Sequence, residues 1–287
     1  MLGTFTDYYV NSIGEFMYFF IAFGASISGW KYCRPVISID GTHLKTKYGG
    51  SLLIASVMDG NNHIFPIGYA IVDSENDLSW EWFFLKLKEA ISVRESMVVI
   101  SDRHKSIAKA VSSVFLEAKI AACMQHLLSN LKVNFHHGAI EPFFIRCAKA
   151  YTVSEYEKYL SLLNKIDPRI KKYLEVADPK RWSRSLFPGR RYDLMTTNIS
   201  ESMNSRLKEA RGWPVSELII ELRNILQKWF FERTDFGNSM TTSLTPKAFE
   251  ILLTNEDNAR CMSVSLLLAY LCNTFAFVRS VTNILRK

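Results

Sequence analysis

The chain has 287 residues, 48% hydrophobic and 22% charged, a globular composition that excludes general disorder. With 13 Gly and 8 Pro it is neither collagen-like nor low-complexity. The net charge of +7 is unevenly spread: residues 1–102 hold 7 basic and 11 acidic side chains, a net of −4, and residues 103–287 hold 28 and 17, a net of +11. That asymmetry points the second part at a polyanion, nucleic acid first, with a solvated basic surface as the alternative. Cys33, Cys123, Cys147, Cys261 and Cys272 are odd in number and scattered, which fits a reducing compartment better than a disulfide framework. Asn11, Ser12 and Glu15 interrupt the apolar stretch that ends at Phe23, so no signal peptide is expected. The apolar run 266–278 has 13 residues, short of the roughly 20 that a membrane span needs. A soluble chain with no membrane partner is the expectation.

In chain order, residues 1–31 are taken as a helical lead-in. Residues 36–40, 51–58 and 63–72 are apolar, β-branched runs broken by short turns such as Asp59-Gly60-Asn61-Asn62, and predict an antiparallel meander. Pro66 in the third run suits an edge or a bulge. Trp80, Phe83, Phe84, Leu87 and Ile91 recur at helical spacing. A strand at 97–100, a helix at 104–115 and a short strand at 119–123 follow. Residues 125–178 read as helical, 179–197 as a basic aromatic linker, 199–210 as a helix, and Pro214 opens another to about 233. The order β-β-β-α-β-α-β followed by helices predicts an α/β chain of ribonuclease-H-like type: a mixed sheet with flanking helices and an all-helical insertion before the last helix of the core. The corresponding segments are 1–31, a core sheet at 32–124, the insertion and linker at 125–197, completing helices at 198–264 and an atypical apolar tail at 265–287.

Asp40 and Asp102 each end an apolar strand. On adjacent strands two such carboxylates repel unless a cation lies between them, and hard divalent ions take oxygen ligands of this kind. Glu201 is placed to add a third acid from a helix. Taken singly, each acid reads as readily as a turn residue, a helix cap or a solvated position. Cys123 and His126 are half of a zinc set, with His136 and His137 as the nearby additions at a spacing that does not compel zinc; a buried thiol and a helix histidine supporting the sheet near the acids is the alternative. His43 and His104, close to the first two acids, read as solvated loop residues. Lys180, Arg181 and Arg184 flank Trp182, and with Arg190, Arg191 and Arg206 they mix cations with aromatics as a strand-tracking surface does. A linker whose Trp182 covers the core is the equal alternative.

Several ordered blocks add a resemblance. Tyr32-Cys33-Arg34-Pro35-Val36-Ile37-Ser38-Ile39-Asp40-Gly41-Thr42-His43-Leu44-Lys45 resembles the first catalytic block of the plant Mutator-like element (MULE) transposases. Asp59-Gly60-Asn61-Asn62, Phe65-Pro66-Ile67 and Val72-Asp73-Ser74-Glu75-Asn76 match in order. Ile100-Ser101-Asp102-Arg103-His104-Lys105-Ser106-Ile107 resembles the second block, Cys123-Met124-Gln125-His126-Leu127 the C-x-x-H block, and Thr197-Asn198-Ile199-Ser200-Glu201-Ser202-Met203-Asn204 the third. The resemblance runs from about residue 16 to 264.

The resemblance implies a DDE transposase core with Asp40, Asp102 and Glu201 as catalytic ligands of two Mg²⁺ or Mn²⁺ ions. It implies DNA strand cleavage and transfer, DNA partners at transposon ends and target, a homo-oligomer, and a place in the nucleus. It marks Cys123 and His126 as characteristic without assigning them a role. Full-length relatives carry an N-terminal DNA-binding region and a C-terminal Cys/His region that these residues do not match. A domesticated DNA-binding regulator and an inactive transposon remnant are the rival expectations.

Overall fold

In the computed structural model, residues 3–260 are described; the apolar tail at 265–287 lies outside them. The strands are β1 (Phe5–Val10), β2 (Phe16–Ala22), β3 (Val36–His43), β4 (Ser51–Met58), β5 (Ile64–Val72), β6 (Val98–Ser101) and β7 (Lys119–Ala122). The helices are α1 (Gly24–Gly29), α2 (Asp77–Ala90), α3 (Lys105–Val114), α4 (Met124–Phe135), α5 (Ile140–Lys149), α6 (Val153–Ile166), α7 (Pro168–Val176), α8 (Pro179–Trp182), α9 (Asn198–Arg206), α10 (Val215–Ser239) and α11 (Pro246–Arg260). Among the described residues, no helix is long and apolar enough to cross a membrane.

One seven-stranded mixed sheet runs β1-β2-β5-β4-β3-β6-β7. The meander β3-β4-β5 is antiparallel, whereas β6 and β7 run parallel to β3. This confirms a mixed α/β architecture. The helical lead-in does not hold: β1 and β2 form a hairpin whose second strand pairs with β5. Phe16, Tyr18, Phe19 and Phe20 are strand formers, and the polar break before them is the hairpin turn. There the Asn11 Oδ1 accepts from the backbone N–H of Ile13 and Glu15, and Gly14 takes a φ of +85°. Pro66 sits on a central strand beside a register shift at Ala55/Ser56, beyond the three residues of β5 that β2 pairs.

Helices cover both faces of the sheet. Trp80, Phe83, Phe84 and Leu87 of α2 and Ile107, Ala110, Val111 and Val114 of α3 bury one face with Ile37, Ile39 and Leu53. Met203 and Leu207, followed by Leu218, Leu222 and Leu226 of α10, bury the other with Leu52, Ile54 and Tyr69. Asn76 caps α2, accepting from the N–H of Leu78 and Ser79. Between β7 and α9 the chain builds a separate core from α4 to α8, centred on Phe144, Leu163, Leu174 and Trp182. Within the segment 179–197, Trp182 and Phe187 are buried as a linker covering the core would have them, and the Trp182 indole N–H donates to the Leu174 carbonyl at 3.2 Å.

Candidate active site

The parallel half of the sheet sets the site. The β3/β6 register ends by pairing Ser38 with Ile100; Asp40 lies two residues further along β3, and Asp102 just past the end of β6. The β6/β7 register pairs Ser101 with Ala122, and the Cys123 N–H donates to the Ser101 carbonyl at 2.8 Å. Asp102 and Cys123 thus follow the C-terminal ends of β6 and β7, while β3 runs three residues past Asp40 to His43; the C-terminal edge of parallel strands is where open α/β sheets hold ligands.

Helix α9 brings the third acid by matching its period to that of β3. Alternate strand residues share a face, about 6.6 Å apart, and four helical residues rise about 6 Å. Ser200 Oγ accordingly donates to the Ser38 carbonyl at 3.0 Å and lies 2.9 Å from its hydroxyl. Four residues on, Asn204 Nδ2 donates to Asp40 Oδ2 at 2.6 Å. Beyond α9, Arg211 continues the series by donating to the Thr42 hydroxyl. Glu201 lies between the first two rungs. Its Oε1 accepts from the Thr197 hydroxyl at 2.7 Å and stands 4.0 Å from His126 Nδ1, so it leans toward the β7 side.

Burial pushes the Asp40 carboxyl up to about 6; the Asn204 hydrogen bond opposes this, while the charges of Glu201 and Asp102 reinforce it. Asn204 is only 8% exposed, and its Oδ1 has no hydrogen-bond partner among the described residues. Asp40, Asp102 and the leftover Asn204 oxygen are oxygen donors of the kind a hard divalent cation takes, while the ligand atoms that already converge among the described residues are those of Cys123, His126 and Glu201.

Cys123 and His126 adjoin this set. Among the described residues, Cys123 Sγ, a His126 ring nitrogen and a Glu201 oxygen lie within 4.8 Å of one another. His136 and His137, at the far end of α4, do not join them. The sulfur lies 3.3 Å from both the backbone nitrogen and the hydroxyl of Thr197. Burial alone would raise the Cys123 thiol, but hydrogen bonds from His126 and Thr197 bring it below the usual range. The same bond to Cys123 raises His126 to about 9, against burial and with help from Glu201 and Asp102.

Residues 36–130 match the model of the MULE transposase domain. The matched stretch holds Asp40, Asp102, Cys123 and His126 and ends before Glu201. The chain is 29% identical over 104 residues to the transposase for insertion sequence element IS256 in transposon Tn4001 of Staphylococcus aureus, covering 34% of this chain and 26% of that protein. It is 23% identical over 184 residues to the transposase for insertion sequence element IS905 of Lactococcus lactis subsp. lactis, covering 60% of this chain and 47% of that protein. The chain therefore spans between a quarter and a half of the length of these relatives.

Outside the matched stretch, the six basic residues singled out in the sequence separate. Lys180, Arg190 and Arg206 are exposed. Arg184 pairs with Asp193 and lies over the Tyr151 ring, and Arg181 is half-buried. Arg191 is a correction: at 5% exposure it cannot meet a phosphate. Its guanidinium donates to the carbonyls of Ala122, Arg181, Trp182 and Leu194, each at 3.3 Å. The sequence reading also passed over Glu75. An ideal Cβ placed on Gly41 would stand 2.5 Å from the Glu75 carboxyl carbon, which puts that acid against the residue after Asp40. A glycine inside a strand, next to a candidate acid, is the signal that pointed to it.

Proposed function

We propose that this chain is the catalytic core of a DDE transposase that cleaves a DNA strand and joins the freed 3′-hydroxyl to target DNA. The observation that carries this reading is that Asp40 lies on β3 and Asp102 just past its parallel neighbour β6, while α9, which carries Glu201, docks on β3 through Ser200 and through the Asn204 bond to Asp40. The MULE match and the transposase relatives support it. We take the core to be ribonuclease-H-like, since three antiparallel strands followed by two parallel ones, with the acids at the parallel rim, suit that type. DNA partners, a homo-oligomer and a nuclear location belong to the same proposal.

In this mechanism Asp40, Asp102 and Glu201 hold the divalent ions. Bound there, Mg²⁺ or Mn²⁺ would supply Lewis-acid activation of the attacking oxygen and charge stabilisation of the leaving one. Asn204 holds the Asp40 carboxylate in one orientation, and the Thr197 hydroxyl does the same for Glu201. No side-chain nucleophile is required, because water and then the DNA 3′-hydroxyl attack directly. The exposed Lys180, Arg190 and Arg206 are taken as phosphate contacts, which confer affinity without reading sequence.

The test is nicking of supercoiled plasmid with Mn²⁺ by the purified chain beside Asp102→Asn. The expected result is cleavage by the wild type and a loss of at least ~1000-fold in the variant, about 4 kcal/mol of transition-state stabilisation. Folded, DNA-bound protein that never cleaves would move the reading to a DNA-binding regulator or an inactive remnant. Equal cleavage by both proteins would remove the assigned acids from the chemistry.

A further inference from the structure

The Val72-Asp73-Ser74-Glu75-Asn76 segment joins β5 to α2, and its glutamate has no evident structural duty. Asn76 is the helix cap, and Asp73 and Ser74 are exposed. Glu75 instead folds back under the rim of β3. Side chains alternate along that strand, so Asp40 shares a face with Ser38 and Thr42, while Gly41 shares the opposite face with Ile37 and Ile39. The missing Cβ of Gly41 opens that second face, and the Glu75 carboxylate occupies the opening, 2.5 to 2.6 Å from where the Cβ would be.

This carboxylate is half-buried and has no hydrogen bond or ion pair among the described residues. Its charged neighbours are Asp102, which repels it, and His104 and His43. His104 is half-buried, and its Nδ1 also lacks a partner. Removing a carboxylate from water without a donor or a cation is costly, and among the described residues only the fields of His104 and His43 offset that cost for Glu75, without a hydrogen bond. Asp102 acts on both Glu75 and Asp40. Glu75 therefore approaches the same strand ends as Glu201, from the other face of the sheet.

We propose that Glu75 is a fourth carboxylate ligand of the divalent-metal site, completing it from the α2 side. The inference rests on the metal reading of Asp40, Asp102 and Glu201 and adds to it a charge argument. Two divalent ions bring four positive charges, and three carboxylates answer only three of them. Glu75 supplies the fourth, so the site can be neutral before any DNA phosphate arrives. Gly41 belongs to the device, because any larger residue would drive Glu75 from the rim.

The experiment is Mn²⁺ titration calorimetry on the whole chain without DNA, with thermal unfolding recorded in EDTA and in Mn²⁺. Wild type is compared with Glu75→Gln, Gly41→Ala, the double variant, Asp102→Asn and the exposed neighbour control Asp73→Asn. Expected for Glu75→Gln is Mn²⁺ affinity lowered at least ~10-fold, a smaller stabilisation by Mn²⁺, and an unfolding temperature in EDTA equal to or above wild type. Gly41→Ala should show the same loss of affinity, with no further loss in the double variant. Wild-type Mn²⁺ affinity in Glu75→Gln, together with a loss in Asp102→Asn, would overturn the fourth ligand and leave the three-acid site standing. A lower unfolding temperature in EDTA would make Glu75 structural and overturn the proposal. Absence of Mn²⁺ binding by the wild type would bring down the metal reading, and Glu75 with it.

Discussion

Two cores built on different principles meet along one seam. The sheet core joins residues far apart in sequence: β3 pairs with β4 and β6, and α9 docks on β3 from about 160 residues away. The insertion core is local, made of α4 to α8 in sequence order around Phe144 and Trp182. Both ends of the insertion are tied to the same place. The Met124 N–H donates to the Met195 carbonyl at 2.8 Å, and the Cys123 sulfur lies 3.3 Å from the Thr197 nitrogen. With its ends pinned together, the insertion can be a unit of its own while the sheet and α9 set the geometry of the acids.

The sharpest way to break that division is Trp182→Ala. The side chain is fully buried and packs on Phe144 and Tyr156 with ring centroids 5.5 and 5.8 Å away. Its removal should cost about 3–5 kcal/mol, a fall in unfolding temperature on the order of 10 °C. Hydrogen exchange should accelerate in α5 to α8 while the β3 and β6 amides keep their protection. Equal loss of protection in the sheet would show that the two cores are one cooperative unit.

The two regions also differ in how far sequence reveals them. Asp40 and Asp102 are legible because each ends a run of apolar strand residues, and the pairing of Ser38 with Ile100 then sets their strands side by side. The meander, α2 and α3 announce themselves by period. Glu75 has no such marker, since a turn acid next to a helix cap looks solvated until Gly41 is seen to make room for it. The first hairpin is legible in its Asn11–Gly14 turn and in the strand-forming aromatic residues that follow it. Adjacent arginines are the hardest case. Arg190 and Arg191 are chemically identical, and only the approach of Ala122, Trp182 and Leu194 decides that the second is buried.

That pair gives the next test. Arg191 crosses the seam, binding the end of β7 and the carbonyls of α8 at once, and lies over the Phe187 ring at 5.1 Å. Arg191→Met preserves much of the volume but leaves four carbonyls short of a charged donor, so denaturant unfolding should show a loss of about 2–3 kcal/mol. Arg190→Ala should stay within about 0.5 kcal/mol of wild type and instead weaken plasmid binding in a salt-dependent way. The reverse pattern would put the buried cation on the wrong residue.

The smallest expected effect falls on the residue that belongs to both regions. Thr197 ends the insertion, precedes α9, and offers its backbone N–H to Cys123 and its hydroxyl to Glu201. A hydroxyl has one proton, and the 2.7 Å contact to Glu201 is shorter than the 3.3 Å contact to the sulfur, so the proton goes to the carboxylate. Thr197→Val retains the shape and the N–H and removes the hydroxyl, with its short bond to Glu201 and its longer contacts to Cys123 and His126. Stability should fall by about 1 kcal/mol, while Mn²⁺ affinity falls about 10-fold, as when a ligand loses its orienting partner. Unchanged Mn²⁺ affinity would mean that α9 alone orients Glu201; a larger loss of stability would make Thr197 a structural joint between the two cores.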